Sequence, residues 1–357
     1  MTPDRSVGGP IRATIVGSLP KPAWLAPPGR LQAPWKVEPD DLDEALADAT
    51  RLSVEQQVAA GLDVVTDGEQ GRRHYVWGFL DGIAAIDTVD LAMKPTRGQR
   101  FRQESPVARL RGEPERDEPL LVEGLRRILK LTDRPVKVTL PGPMTIVDSL
   151  LDEVGRHATA DLAMIFADLL NREAKALAAA GAAVVQFDEP CFNILIDEAR
   201  DWGIVALERA VAGVETTTGV HICYGYGGSE VADWKAANRD WSHYEASLAL
   251  IAGTAIDQVS IETAAVGVDI GVIELLRGKD VLLGLVDVGR ERVETPAEIA
   301  DGLRRALDYV APERLFACTD CGLVLRSRGA ASAKMRALVE GARTVNRELT
   351  CSAVSGS

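Results

Sequence analysis

The sequence is poor in cysteine, in aromatic residues and in positive charge. Five cysteines, an odd number, are spread over 357 residues, and aromatic residues make up 5% of the chain. So few thiols oppose a disulfide framework and favour ligands, nucleophiles or core thiols in a reducing compartment. The formal net charge of -13 opposes nucleic acid or an anionic membrane surface as a partner, because both would repel an acidic protein.

The amino-terminal residues 1–10 also lack an apolar stretch long enough for a signal peptide or a membrane span. We therefore expect a soluble, cytoplasmic protein that acts on small molecules. Because 46% of the residues are hydrophobic, the chain can bury a large core. Its length fits one large α/β barrel as well as two ordinary domains.

Short apolar runs alternate with stretches of helical periodicity along the chain. The runs read as eight strands, at 13–16, 63–66, 136–140, 183–187, 218–222, 258–261, 281–286 and 315–317. The helical stretches lie at 41–60, 160–180, 201–211, 241–250, 296–309 and 331–348. Gly61 and Gly181 each follow a helix and precede a strand, where a left-handed cap suits glycine. Glycines between helix and strand also occur in open doubly wound sheets, but the alternation of strands and helices predicts parallel βα units.

We predict one α/β domain over residues 1–350, a TIM (β/α)8 barrel with an insertion after its second strand. The insertion spans about residues 68–134, is rich in Arg, Glu and Pro, and is expected to form a small β-hairpin or a helical extension. It either shapes a substrate pocket or is a solvated surface excursion. Residues 351–357 are expected to be a disordered tail.

Four of the predicted strands end in residues that can bind metal or carry charge. They are the segments 183–189, 219–223, 259–262 and 315–321. In a parallel barrel such strand ends meet on one face, where barrel enzymes have their active sites. His221 and Cys223 are two residues apart on one strand end, so both side chains point to the same side.

With Glu262 and Cys321 these residues form a candidate zinc site of two thiolates, one imidazole and one carboxylate. The site would carry a formal charge of about -1 and would suit the binding and deprotonation of a substrate thiol. Each residue alone has a simpler explanation as core, and Cys318 and Cys321 could form a separate Cys-x-x-Cys pair. We assign neither Cys318 nor Cys191 to zinc.

Seven spaced motifs then resemble the catalytic barrel of the cobalamin-independent methionine synthases. They are Val16-Gly-Ser-Leu-Pro20, Thr66-Asp-Gly-Glu69, Leu140-Pro-Gly-Pro-Met-Thr145, Gln186-Phe-Asp-Glu-Pro190, His221-Ile-Cys223, Ser260-Ile-Glu-Thr263 and Asp320-Cys-Gly322. The resemblance covers about residues 13–347 and is to the short, single-barrel type, without the additional amino-terminal barrel of larger members.

This resemblance implies methyl transfer to the sulfur of homocysteine, giving methionine, with Zn²⁺ bound by His221, Cys223, Glu262 and Cys321. The matching motifs imply that Gly17 and Ser18 hold the homocysteine carboxylate, and that Glu69 and Asp188 hold its ammonium group. Two carboxylates from different strand ends can hold a buried cation, and a serine can donate to an anion. Either carboxylate could instead pair with Arg72 or Arg73.

Two departures from the family pattern concern the methyl donor. Ser149 stands where folate-dependent members have a tryptophan that stacks on the pterin, and Gly289 stands near the place of a proton-donating histidine. The donor is therefore methylfolate or a methylated corrinoid, in either case with delivery by a second protein as an option. Asp287 is a candidate catalytic proton donor, although an aspartate at a strand end is as often a structural acceptor.

Three other interpretations stay open at the level of sequence. The zinc could serve alkyl transfer involving another thiol, such as coenzyme M, but the two carboxylates favour an amino-acid thiol. The zinc could instead be a closed structural site in a non-catalytic protein, although structural ligands usually come from nearby turns. A decarboxylase of related barrel type would need none of the zinc ligands.

Overall fold

The computed structural model describes residues 9–99, 104–226 and 229–355. The chain has an α/β fold built on a parallel sheet of seven strands in the order β1-β10-β9-β8-β7-β6-β4. These strands are β1 Arg12–Ala13, β4 Lys137–Pro141, β6 Val184–Asp188, β7 Thr217–Ile222, β8 Gln258–Glu262, β9 Asp280–Gly284 and β10 Leu315–Cys318. The first and last of them along the chain are neighbours, so the sheet curves back on itself.

Residues 63–65 lie between the two outer strands of this sheet, β1 and β4. The Asp63 amide donates to the Ala13 carbonyl at 2.9 Å, and the Lys137 amide donates to the Val65 carbonyl at 2.8 Å. The second predicted strand, 63–66, is thus reduced to a single parallel bridge between Val65 and Val136. One reason is that the Ala13 amide donates to the carboxylate of Asp63, at 2.7 Å, and not to a backbone carbonyl.

Helices separate most of the strands, as the alternation in the sequence predicts. Those in the described residues are α1 Leu42–Ala60, α2 Trp77–Leu80, α3 Val122–Leu129, α4 Pro143–Asp148, α5 Thr159–Ala179, α6 Ile196–Glu198, α7 Ile204–Val211, α8 Ser229–Ala237, α9 His243–Ala252, α10 Pro296–Ala306 and α11 Arg328–Ser355. Gly61 and Gly181 follow α1 and α5 with φ of 94° and 101°, so both adopt the positive φ predicted for them. No helix in these ranges is both long and apolar enough to cross a lipid bilayer.

The side chains of each strand alternate between the two faces of the sheet, and the two faces differ in polarity. On β6 to β8, Phe187, Val220 and Ile261 point to the large apolar core that the helices cover. The residues between them, such as Gln186, His221 and Ser260, are buried and polar. This period of two places the chemically active side chains on the face of the sheet away from the helices.

The long interval 68–134 contains a β-hairpin and the two short helices α2 and α3. Strands β2 Ala84–Pro95 and β3 Glu104–Glu115 pair antiparallel, and β5 Leu150–Asp152 adds to β3 in parallel. Thr96 and Arg97, which directly follow β2, lie on the wall of the central cavity described below. The hairpin therefore takes part in shaping that cavity.

Several predicted boundaries differ from the structure, most clearly those of the first strand and of the last helix. The first strand ends at Ala13 instead of Val16, because the Val16 amide donates to the Thr319 hydroxyl, at 3.2 Å, and leaves the regular ladder. The last helix continues to Ser355, so residues 351–355 are helical where a disordered tail was predicted. No glycine or proline interrupts the chain between 350 and 355, and residues 356 and 357 lie outside the described residues.

Candidate metal centre and substrate cavity

Three of the four predicted metal ligands converge at the end of the parallel sheet. The ligand atoms of His221, Cys223 and Cys321 all lie within 4.8 Å of one another. His221 belongs to the end of β7, Cys223 follows one residue after that strand, and Cys321 lies in the loop after β10. Residues far apart in sequence meet here because parallel strands end on the same side.

The imidazole of His221 is oriented for a ligand. Its Nδ1 is hydrogen-bonded to the Ser260 hydroxyl at 3.0 Å, whereas its buried Nε2 has no hydrogen-bond partner. A buried polar atom without a partner is rare, and a metal-binding histidine usually has its other nitrogen held in this way. The side chain is therefore prepared to offer Nε2 to a cation.

A hydrogen bond between the two thiols shifts their pKa values in opposite directions. The hydrogen bond with Cys321 lowers the pKa of Cys223 well below its usual value, and the same contact raises the pKa of Cys321. Burial lowers the pKa of His221, but the adjacent charge of Cys223 outweighs it, and the net shift is upward. A cluster that already stabilises a thiolate next to a protonated partner suits a thiophilic cation in place of the protons.

Glu262, the fourth predicted ligand, lies beside this cluster but is not part of it. The carboxylate is fully buried; its Oε1 accepts from the Tyr224 amide at 2.7 Å, and its Oε2 accepts from the Lys235 ammonium at 2.6 Å. Both oxygens therefore have close donors. Lys235 is a partner that sequence reasoning missed, since it lies 27 positions away, on α8.

A cavity of about 320 Å³ opens beside the three clustered side chains. His221, Cys223 and Cys321 form part of its wall, and Ser18, Glu69 and Asp188 line the same space. Three of the four predicted substrate contacts thus share one cavity with the predicted ligands. Gly17 does not line the cavity, but a Cβ built on it would lie 2.8 Å from Oε1 of Glu69, so it packs directly behind that carboxylate.

Glu69 and Asp188 are two buried carboxylates with few donors. The Thr139 hydroxyl donates to Oε1 of Glu69 at 2.9 Å, and the Gln186 amide donates to Oδ1 of Asp188 at 2.8 Å. Burial, together with the nearby charge of Glu69, raises the pKa of Asp188 to about 7. Such a pair would be stabilised by a cation bound between them.

Arginines contact this pair only in part. Arg72 Nη1 is 3.9 Å from the Glu69 carboxylate, and Arg72 Nη2 is 3.6 Å from Asp67. Arg73 pairs instead with Asp81, at 3.1 Å. The alternative was that an arginine pairs with these carboxylates in place of a substrate ammonium group. It is therefore limited to one long contact, between Arg72 and Glu69.

Ser18 is held close to the loop that carries Cys321. The Leu323 amide donates to the Ser18 carbonyl at 2.8 Å, and a Cβ built on Gly322 would lie 1.9 Å from the Ser18 hydroxyl. Glycine at 322 is therefore required by the close approach of the two loops. The contact holds Ser18 next to the loop that carries Cys321.

Several lining residues were given no role from the sequence. Lys21, His74, Trp77 and Arg97 all line the cavity. Burial lowers the pKa of Lys21 to about 8, and burial with the charges of Arg97 and Lys21 lowers the pKa of His74 to about 3. The dense run of polar and aromatic residues at 72–77 could have indicated that this segment lines a cavity. It does not stand at the end of a strand, where functional residues were sought.

The remaining predicted residue, Asp287, does not line the cavity. Its Oδ1 accepts from the Gly289 amide at 2.7 Å, and its other oxygen lies 3.6 Å from Arg290. These contacts are those of a turn-stabilising carboxylate. Ser149, by contrast, does line the cavity.

Comparisons with known proteins agree over almost the whole chain. Residues 11–344 match the family model described as cobalamin-independent synthase, catalytic domain. The methionine synthase of Saccharolobus solfataricus is 32% identical over 342 residues, covering 94% of this chain and 95% of that protein. The methionine synthase of Thermococcus kodakarensis is 32% identical over 338 residues, with 94% of each protein covered.

A solved structure is more similar still. A B12-independent methionine synthase from Shewanella sp. W3-18-1, solved in complex with selenomethionine, is 40% identical and superimposes with a TM-score of 0.92. The match covers 96% of this chain and 99% of that one.

Proposed function

Because the chain belongs to the family of cobalamin-independent methionine synthases through their catalytic domain, we propose that this methyltransferase transfers a methyl group to the sulfur of homocysteine, giving methionine. The observation that carries the proposal is the shared cavity: His221, Cys223 and Cys321 line it together with Glu69 and Asp188. A thiol site and an ammonium site in one cavity fit an amino acid with a sulfur side chain.

Zinc is the metal that these residues suit best. Two thiols and one imidazole are typical zinc ligands, and the unpartnered Nε2 of His221 supplies a buried donor atom with no other use. Bound there, zinc would lower the pKa of a substrate thiol and so make its thiolate available as the nucleophile at neutral pH. Ser260 would keep the imidazole in the required tautomer and orientation.

The polar wall of the cavity would orient the amino-acid part of homocysteine. Glu69 and Asp188 would accept hydrogen bonds from the ammonium group, and the Ser18 hydroxyl would donate to the carboxylate. The complex of the Shewanella relative with selenomethionine, an analogue of methionine, supports an amino acid of this class as the ligand. Coenzyme M has no ammonium group and would supply neither buried carboxylate with a cation.

The methyl donor is proposed to be methylfolate or a methylcorrinoid, presented directly or by a second protein. Ser149 lines the cavity with a small hydroxyl side chain, which offers no aromatic surface for a pterin. Asp287 stays a candidate proton donor for a folate nitrogen, but its contacts with Gly289 and Arg290 favour a structural role.

We also infer the complete barrel from the hydrogen bonds at the sheet edges. Residues 63–65 would count as the second of eight strands, since they bridge β1 and β4. The hairpin β2–β3 and α3 would then be an insertion after that strand, within a single domain. The Arg97 side chain, which donates to the Tyr75 hydroxyl at 2.8 Å, supports the end of β2 as part of the cavity wall.

The proposed function is tested by metal content and methionine formation. Purified protein is offered homocysteine with methylfolate monoglutamate, methylfolate polyglutamate or methylcobalamin in parallel, with and without a cell extract that can supply a delivery protein. We expect one zinc per chain and methionine from at least one donor. Cys223→Ser and Cys321→Ser should each lose zinc and activity, and full retention of both in these variants would contradict the ligand set.

A closed structural zinc site is the outcome to be excluded. In cobalt-substituted protein, homocysteine should change the visible absorption spectrum as its sulfur enters the metal shell. An unchanged spectrum would favour a closed site and a non-catalytic protein. The position of all three ligands on the cavity wall supports the open site.

A further inference from the structure

A lysine and a glutamine are buried behind the proposed amino-acid site. Lys137 on β4 and Gln186 on β6 are each 1% exposed, and neither lines the cavity. The Lys137 ammonium donates to the side-chain oxygen of Gln186 at 2.9 Å and to the Ile15 carbonyl at 2.6 Å. Within the described residues it forms no ion pair, so both of its acceptors are neutral. A buried cation without a counterion is costly, and we therefore expect it to have a function.

Gln186 connects this lysine to both halves of the proposed site. Its side-chain nitrogen donates to Oδ1 of Asp188 at 2.8 Å and to the Val16 carbonyl at 3.1 Å. Asp188 is the proposed ammonium contact at the end of β6, and Val16 lies two residues before Ser18, the proposed carboxylate contact. Lys137 and Gln186 thus hold both chain segments from which the substrate contacts project.

The hydrogen-bonding groups around Gln186 fit one orientation of its amide. A lysine ammonium can only donate, and an ionised carboxylate can only accept. The amide oxygen must therefore face Lys137, and the amide nitrogen must face Asp188. Because this nitrogen occupies Oδ1 of Asp188, Oδ2 is the oxygen left for the ammonium group of a substrate.

Loss of the lysine would disturb both segments at once. Without Lys137, the side-chain oxygen of Gln186 and the Ile15 carbonyl would be buried without this donor. Buried acceptors without a donor are costly, so the groups that carry them shift towards other partners. The shift would displace Asp188 and the segment before Ser18, because Gln186 is bonded to both.

We propose that Lys137 is a positioning residue that acts through Gln186. It keeps Asp188 and Ser18 at the separation that the ammonium and carboxylate groups of homocysteine require. This inference rests on the proposed function and deepens it, because it names the group that makes the site select a complete amino acid over a simple thiol. Lys137 does not line the cavity and touches no reacting atom.

The inference is tested with Lys137→Met, Gln186→Met and the double variant Lys137→Met/Gln186→Met. In cobalt-substituted protein, the homocysteine concentration at half of the spectral change should rise about tenfold in each single variant, the lower end for one hydrogen bond to a charged group. The double variant should show about the same rise as Gln186→Met, because Lys137 acts through Gln186. Two independent effects would instead multiply to about 100-fold.

A thiol without charged groups separates positioning from general damage to the site. Propane-1-thiol offers sulfur to the metal but has neither an ammonium nor a carboxylate group. Its half-saturation should therefore be the same in the wild type and in all three variants. In the methionine assay, the KM for homocysteine should rise while kcat stays close to that of the wild type, because bound homocysteine still presents its sulfur to the metal.

Lys279→Met is the matched control. Lys279 is also a buried lysine that donates to two neutral oxygens, the Thr254 and Ile256 carbonyls, at 2.9 Å and 2.7 Å, but it lies before β9, away from the cavity. Its homocysteine and propane-1-thiol responses should equal those of the wild type. The double variant at 137 and 186 contains no unpaired buried charge, so it keeps the test usable if Lys137→Met folds poorly.

Three results would overturn the inference while the proposed function stands. They are a wild-type homocysteine response in Lys137→Met and the double variant, an equal loss of the homocysteine and propane-1-thiol responses, and a double-variant effect equal to the product of the single effects. If the cobalt form of the wild type does not respond to homocysteine, the proposed function and this inference both fail.

Discussion

Gly17→Ala tests the proposed ammonium site through a residue that does not itself line the cavity. The added Cβ would lie 2.8 Å from Oε1 of Glu69 and 2.9 Å from Cγ2 of Thr139. Glu69 has little freedom to move away, because its backbone is held at a φ of 55° and its carboxylate accepts from Thr139. The carboxylate is therefore displaced from the position in which it would receive the ammonium group.

The size of the effect follows from the overlap. Forcing a methyl group into a packed site costs about 1–3 kcal/mol. If that cost is met when homocysteine binds, the KM for homocysteine should rise by about 5- to 140-fold, at about 1.4 kcal/mol for each factor of ten. Zinc content should not change, because Gly17 touches none of the three ligands.

The assay is methionine formation at varied homocysteine, with zinc measured on the same samples. Gly124→Ala is the matched control, since a Cβ at that position meets no atom within 4 Å, and its KM should equal that of the wild type. Binding of 4-mercaptobutanoate, which lacks the amino group, should be equally weak in Gly17→Ala and in the wild type. A wild-type KM for homocysteine in Gly17→Ala would refute the assignment of Glu69 to the ammonium group.

Two further predictions concern stability. In the folded protein the pKa of His74 is lowered to about 3, so the unfolded chain takes up the proton first as the pH falls. Stability is therefore lost between about pH 6.5 and 3, by up to about 1.4 kcal/mol per pH unit. In urea unfolding at pH 7, 5.5 and 4.5, His74→Gln should lose less stability than the wild type, and equal losses would contradict this. Arg116→Met leaves the fully buried Glu173 without its cation, 2.6 Å away, and should lower the free energy of unfolding by about 3 kcal/mol. The exposed Arg111→Met should cost at most about 1 kcal/mol, and similar losses in both variants would show that burial does not set the cost.

The strands and their chemically active ends follow from local sequence. Segments 184–188 and 258–262 carry an apolar residue at every second position and end in a carboxylate, and both form buried parallel strands. A strand places every second side chain on one face whatever surrounds it. The spacing of His221 and Cys223 therefore predicted their common direction, and in the structure the ligand atoms of these two residues and of Cys321 lie within 4.8 Å of one another.

The state of Glu262 was not predictable in the same way. Its strand position suggested a metal ligand, and only the packing of α8 against the loop after β7 brings Lys235 to it. Likewise Arg97 lines the cavity because it directly follows strand β2 of the hairpin, far from the strand ends of the parallel sheet in sequence. Neither contact has a periodicity or a motif that a reader of the chain could recognise.

The sequence by itself determined which residues form the strands, which side chains gather where those strands end, and the family to which the chain belongs. Only the tertiary structure decided which charged groups pair with one another at those strand ends. The physical reason is range: strand direction depends on neighbours two positions away, whereas the partner of a buried charge depends on which distant helix or loop brings an opposite charge within hydrogen-bonding distance.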